Sequence, residues 1–305
     1  MENAEEDSIH ISSRPKPVFL FLLDGWGVAA KSEANAISLA KAPNFLKLFK
    51  EYPAGALLPV KGDLNARYFS LGAGRNVINE EEMAPVKDVL ASDLTASIAA
   101  AGLKQIKIFD SERLAALTYF FNGRREEKVA GEEWLAISAA RPDKAFDNYL
   151  GLQRIVRESH KAVKSGQYDF IVAACSILDS AATTGDLSEA IKAMEALDKA
   201  IKRLAADILS SGGILLIASV QGNAEKMRDL VTDLPDKNPT NNPVPFAIFG
   251  HEFKGRTIGL KDAPDGDLSL SEISGSLADV APTILDLLEI TVDDKNIFQG
   301  QSLAV

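Results

Sequence analysis

The chain has 305 residues, 46% of them hydrophobic and 25% charged, with 33 basic against 43 acidic side chains and a formal net charge of −10. This is the composition of a folded globular protein, and the acidic surplus without any basic run excludes a nucleic-acid surface. The single cysteine, Cys175, excludes an intramolecular disulfide, and no apolar run reaches the roughly 18 to 20 residues of a membrane span.

The opening segment, residues 1–16, is polar and acidic, unlike a secretory signal. A flexible tail over 1–16, one domain over 17–305 and a cytoplasmic location are therefore expected. Val18 to Leu23 is a continuous apolar run stopped by Asp24-Gly25, which predicts a strand buried on both faces. Apolar positions at helical spacing follow over 35–51, with a break at Pro43. Residues 76–89 read as an acidic connection containing Glu80, Glu81 and Glu82, a solvated charge run.

Further on, a helix is predicted near 92–101, a short strand over 105–109, a stronger strand over 117–121 and a helix over 151–165. A strand over 168–174, a long amphipathic helix over 187–209 stopped by Gly212-Gly213, and a strand over 214–218 come next. Residues 232–243 are a Pro- and Asn-rich loop before a strand over 244–249, and a helix over 277–288 holds Pro282 inside it. Strands alternating with helices predict an α/β fold with a mostly parallel central sheet and helices on both faces. Chemistry in such folds lies beyond the carboxyl ends of the strands, here at Asp24, Cys175 to Asp179 and Ser219 to Asn223.

The segments LDGWG (23–27), NAISLAKAPN (35–44), LGAGR (71–75), TYFFNG (118–123), TGDLSEAIKAMEALDKAI (184–201), GNAEKM (222–227), NPVPF (242–246) and GSLADVAPTILDLL (275–288) occur in one order along the chain. In that order they resemble the phosphatase domain of the 2,3-bisphosphoglycerate-independent phosphoglycerate mutases, members of the alkaline phosphatase-like metalloenzymes. The resemblance implies an alkaline phosphatase-like fold, a site for two Mn²⁺ or similar ions, and a phosphorylated serine. It also implies an inserted transferase domain soon after LGAGR, where only a short connection stands here, too small for a domain.

Carried over position by position, the resemblance keeps Asp24 and Asp179 as ligands and loses the rest. The family serine stands eight residues before Gly72, and Leu64 occupies that place. Ser70 would need a six-residue shift to replace it, and catalytic groups tolerate little displacement. Thr183, Val220, Gln221 and Pro239 occupy the other ligand positions, and none is a useful ligand for a divalent cation. The three histidines, His10, His160 and His251, lie in no strand-end cluster with carboxylates. Arg113 stands where the family carries a phosphate-binding lysine; with Arg75, and with Arg124 or Arg125 as surface alternatives, it is a candidate anion contact.

Bland readings stand beside these. Asp24 and Asp179 suit a turn or helix cap as well as weak Mg²⁺ or Mn²⁺ binding. Cys175 suits an inert buried thiol, and Gly222 a turn retained for its backbone. The sequence thus predicts a pseudoenzyme with no catalytic residue and no tightly held cofactor. It would act by binding an unknown protein or a small anionic ligand, with no nucleic-acid or membrane partner. A residual metal-dependent phosphohydrolase or mutase using Asp24 and Asp179, and a structural oligomer-forming role, are the alternatives.

Overall fold

The computed structural model describes residues 14–77, 93–138, 145–229, 231–258, 263–292 and 297–304. Strand β1 (Val18–Leu23) is fully buried along its whole length, as its unbroken apolar run predicts. It lies at the centre of an eight-stranded sheet of order β4-β3-β5-β1-β6-β7-β2-β8. The others are β2 (Ala54–Leu58), β3 (Gln105–Asp110), β4 (Glu132–Ile137), β5 (Phe170–Cys175), β6 (Ile214–Ala218), β7 (Val244–Phe249) and β8 (Ile273–Ser276). All pairings are parallel except those of β7, which runs antiparallel to β6 and to β2.

Because side chains alternate along β1, Phe19, Phe21 and Leu23 enter one core and Val18, Leu20 and Leu22 the other. The first face is covered by α2 (Pro43–Glu51), α5 (Ala145–Ser165), α6 (Ile177–Thr184) and α7 (Leu187–Ser210), with the single turn α1 (Ala36–Leu39) beside them. The second is covered by α3 (Leu64–Ala73), α4 (Leu94–Ala100) and α8 (Val280–Leu287). The helices on both faces make the fold α/β with a mostly parallel sheet. Among the described residues, no helix is long and apolar enough to cross a membrane.

The break expected at Pro43 is present: α1 ends at Leu39, and Pro43 begins α2 at its first position, where its missing N–H costs nothing. Ala42 offers no side-chain cap there, and Asp198 of α7 supplies it from outside. Its carboxylate accepts the Asn44 and Phe45 amides at 2.9 Å each and the Asn44 side chain at 2.6 Å. Asp198 is 2% exposed. Asp198→Ala is expected to cost about 2 kcal/mol, since a buried cap and its donors are lost together. Urea denaturation reads this as a lower midpoint at unchanged slope.

One predicted element is corrected. Residues 117–121, read as a strand, lie in a π-helical turn over Ala116–Phe120. The Leu117 carbonyl instead accepts from the buried Lys107 ammonium at 3.2 Å, and Leu117 and Phe121, four apart, share the buried face. Strands β2, β4 and β8 and helices α3 and α6 are additional to the predicted elements. The acidic run Glu80–Glu82, His10 and most of the expected tail lie outside the described residues.

Candidate functional site

The parallel strands β3, β5, β1 and β6 are neighbours, so their carboxyl ends open at one edge of the sheet. Asp24 follows β1 directly. Gly25 then turns the chain at φ +91°, with α6 so close that a Cβ there would fall 2.6 Å from the Asp179 amide nitrogen. The Asp179 amide donates to the Asp24 carbonyl at 3.1 Å, which fixes α6 against the turn. Asp179 lies in the first turn of α6, just beyond β5, and Gln221 and Asn223 lie just beyond β6.

Arg113 reaches this corner from the short 3₁₀ turn Ser111–Arg113 that follows β3. Its Nε donates to Asp24 Oδ2 at 2.6 Å and its Nη2 to Asp179 Oδ2 at 2.9 Å, with the side chain only 8% exposed. Tyr68 of α3 donates its hydroxyl to the same Asp24 oxygen at 2.8 Å. Asp179 Oδ1 accepts from Gln221 Nε2 at 3.3 Å and Asn223 Nδ2 at 3.1 Å. Burial alone would lower the Arg113 pKa, but the charges of Asp24 and Asp179 outweigh it and hold the guanidinium above its ordinary value. Burial, reinforced by Asp24, keeps the Tyr68 phenol well above its ordinary value, so Tyr68 is a donor only.

The remaining positions of interest disperse from this corner. Leu64 is the first residue of α3, half-buried against the second core and one turn before Tyr68. Ser70 is fully buried six residues on, about 600° around the helix and off the face shared by Leu64 and Tyr68. Val220 is fully buried in the core, Pro239 is exposed, and Thr183 turns its hydroxyl onto the Asp179 carbonyl at 2.8 Å. Arg75 donates to the Ile297 carbonyl at 3.0 Å, Arg124 packs over Tyr119, and Arg125 pairs with Asp93 at 3.0 Å. His160 bonds Asp207 on one helix-covered face, and His251 lies by the Leu209 carbonyl. Cys175 is buried, and burial pushes its thiol up, away from nucleophilic use.

Two partners were not foreseen in the sequence. Tyr68 carries no motif, although its place four residues after Leu64 sets it on the same helix face. Glu225 is 3% exposed and draws three segments together. Its Oε2 accepts the Gly27 amide at 3.2 Å and the Asn223 amide at 2.8 Å; its Oε1 accepts Asn242 Nδ2 at 2.9 Å and the Thr240 hydroxyl. Gly27 is required for this, since a Cβ there would meet the Glu225 carboxylate at 2.2 Å. LDGWG, GNAEKM and NPVPF, far apart in sequence, thus meet around one carboxylate.

Two atoms here suit a cation: Asp24 Oδ1 and Asn223 Oδ1 are buried without a hydrogen-bond partner. The rest of the donor set does not fit a divalent metal ion. The other three carboxylate oxygens are engaged by Arg113, Tyr68, Gln221 and Asn223. Among the described residues, no group of three His, Cys, Asp or Glu side chains could hold a metal. A fixed guanidinium about 4 Å from a divalent ion would oppose it by about 8 kcal/mol at an effective dielectric of 20.

Comparison with known proteins places the chain. It matches the metalloenzyme superfamily over residues 16–292 and belongs to it. Within it, the chain is homologous to the phosphatase domain of the 2,3-bisphosphoglycerate-independent phosphoglycerate mutases. It is 36% identical to that of Chloroflexus aggregans over 222 residues, 71% of this chain and 38% of that protein. It is 37% identical to that of Moorella thermoacetica over 208 residues, 66% of this chain and 36% of that protein. The chain thus spans well under half the length of these relatives. Among solved structures, Leishmania mexicana phosphoglycerate mutase at low cobalt concentration superposes with a TM-score of 0.75 at 13% identity, covering 96% of this chain and 98% of that one. A mutant of TAB5 alkaline phosphatase superposes at 0.58 and 13% identity, covering 92% of this chain and 99% of that one. These likenesses establish an alkaline phosphatase-like fold.

Proposed function

We propose that this chain is a pseudoenzyme of the mutase phosphatase domain, acting by binding another protein or a small anionic ligand. The observation that carries this reading is Arg113, whose guanidinium lies between the two carboxylates that the family resemblance assigns to metal. Leu64 supports it from the other side, because a hydrocarbon at the serine position supplies no nucleophile for phosphoryl transfer. Binding is supported by a groove of about 830 Å³ beside the Asp24–Gly27 turn. Trp26 and Phe49 line it, Leu46 and Leu270 stand 43% and 64% exposed at its rim, and Lys41 lies there beside the ion pairs Lys31–Asp267 and Lys50–Asp265. An apolar lining with mixed charge at the edge suits a partner that is largely apolar, with Lys41 as a contact for an anionic group.

The decisive measurement is turnover. Protein chelated and then repleted with Mn²⁺, Co²⁺ or Mg²⁺ is expected to convert neither 3-phosphoglycerate nor p-nitrophenyl phosphate above the rate of the buffer alone. Metal-dependent turnover that disappears in Asp24→Asn would overturn the reading and establish a one-metal enzyme instead.

A further inference from the structure

We infer that Arg113 is a built-in replacement for a metal ion, and that it masks a divalent-cation site which its removal would reopen. This rests on the non-catalytic reading above and deepens it, by saying what holds the abandoned site together. Asp24 and Asp179 come from the ends of two adjacent parallel strands and are 1% exposed and 15% side-chain exposed, respectively. Two carboxylates pressed together at such depth repel one another and need a cation between them. A guanidinium meets that need without recruiting anything from solution. It is planar, permanently charged and forked, so one side chain reaches Asp24 through Nε and Asp179 through Nη2.

The surroundings are tuned to a single positive charge of that kind. Tyr68, Gln221 and Asn223 add neutral donors to the same carboxylates. A second arginine, Arg67, is 4% exposed on α3, where burial lowers its pKa against the opposing charges of Asp63, Asp24 and Asp179. It bonds the Thr240 carbonyl at 3.2 Å and Asn241 Oδ1 at 2.5 Å. Among the described residues, Arg113 is the guanidinium bonded directly to the two aspartates. Without it, Asp179 Oδ2 is freed and Asp24 Oδ2 keeps only the Tyr68 bond. Asp24 Oδ1 is already buried and unpartnered. That set, with water, is enough for a modest Mg²⁺ or Mn²⁺ site.

The test uses the full chain and Mn²⁺ alone. Titration by Mn²⁺ electron paramagnetic resonance and thermal unfolding in EDTA or Mn²⁺ are compared for wild type, Arg113→Ala, Arg113→Gln and Arg113→Lys. Wild type and Arg113→Lys are expected to unfold at the same temperature in EDTA and in Mn²⁺. Arg113→Ala and Arg113→Gln are expected to bind Mn²⁺ at least about 100-fold more tightly than wild type, and to unfold at a higher temperature in its presence. Adding Asp179→Asn to Arg113→Ala should abolish the gain. A variant that folds only with Mn²⁺ gives the same support. Wild type binding Mn²⁺ as tightly as the variants, or both neutral variants showing no gain or staying unfolded with and without Mn²⁺, would overturn the inference. The latter results with an inactive wild type would leave the pseudoenzyme reading standing, while metal-dependent turnover by the wild type would remove that reading first.

Discussion

Lys107→Met should lower the free energy of unfolding by about 3–5 kcal/mol, the range found when one member of a buried ion pair is removed. Lys107 and Glu132 are both fully buried, at 2.8 Å. The ammonium also donates to Thr95 Oγ1 and to the Leu117 carbonyl at 3.2 Å each and to Asn122 Oδ1, and it lies 4.7 Å from the centre of the Phe121 ring. Met keeps the volume of the stem but leaves every one of those acceptors dry. Glu132 also accepts from Trp134 Nε1, Asn122 Nδ2 and the Val129 amide, so replacing the pair together by apolar residues should not restore stability. This distinguishes it from ion pairs that a hydrocarbon can replace. Chemical denaturation of the single and double variants reads both claims.

The same pair carries a pH dependence. Burial alone would raise the Glu132 pKa, but the Lys107 charge and the bonds from Lys107, Trp134 and Asn122 outweigh it and hold the carboxyl below its usual value. A carboxyl depressed on folding stabilises fully above its unfolded pKa of about 4.3 and loses that contribution as pH falls through its folded value. The gap in melting temperature between wild type and Glu132→Gln is therefore expected to be constant from pH 7 to 5 and to close below about pH 4. A gap independent of pH down to 3 would contradict this account.

Glu225→Ala is expected to cost at least about 3 kcal/mol, because it strands donors of Gly27, Asn223, Thr240 and Asn242 together in a buried place. Glu225→Gln should be nearly as damaging: its amide nitrogen would turn a donor toward one of the two donor pairs. If Glu225→Gln unfolded at the wild-type urea midpoint, shape rather than acceptor count would be what the carboxylate provides.

The sheet was most legible in the sequence where strands are buried on both faces. Val18–Leu23, Phe170–Cys175, Ile214–Ala218 and Val244–Phe249 are apolar throughout, and each was anticipated within two residues. Towards the sheet margins the signal fades. Ala54–Leu58 is short and built largely of small residues, Glu132–Ile137 begins with two acids, and Ile273–Ser276 is largely polar. Leu117–Phe121 misled because aromatic residues favour strands locally, whereas Lys107, ten residues earlier in sequence, claims the Leu117 carbonyl.

At the site, the motif resemblance located Asp24, Asp179 and Arg113 separately, yet nothing in the sequence states that they touch. Arg113 is 89 residues from Asp24 and 66 from Asp179, and side-chain direction over such separations is set by the sheet order. The usable signal was positional: Arg113 follows the end of β3 as Asp24 follows β1 and Asp179 follows β5. Reading those three strand ends as neighbours would have exposed the ion pair, and with it partners for the two aspartates beyond a turn or helix cap.

The bond from Gly27 to Glu225 joins residues 198 apart. A contact of that span carries a high loop-closure cost, so the turn after β1 is completed only once the chain has returned through β6 to its side. A chain broken before residue 225 would keep its central strand and the Asp179 bond to Asp24, while the Gly27 end of the turn lost its anchor. The Gly27 amide is in that sense a clock for the centre of the sheet: its protection from solvent hydrogen marks the moment at which the segment after β6 has closed on the turn after β1.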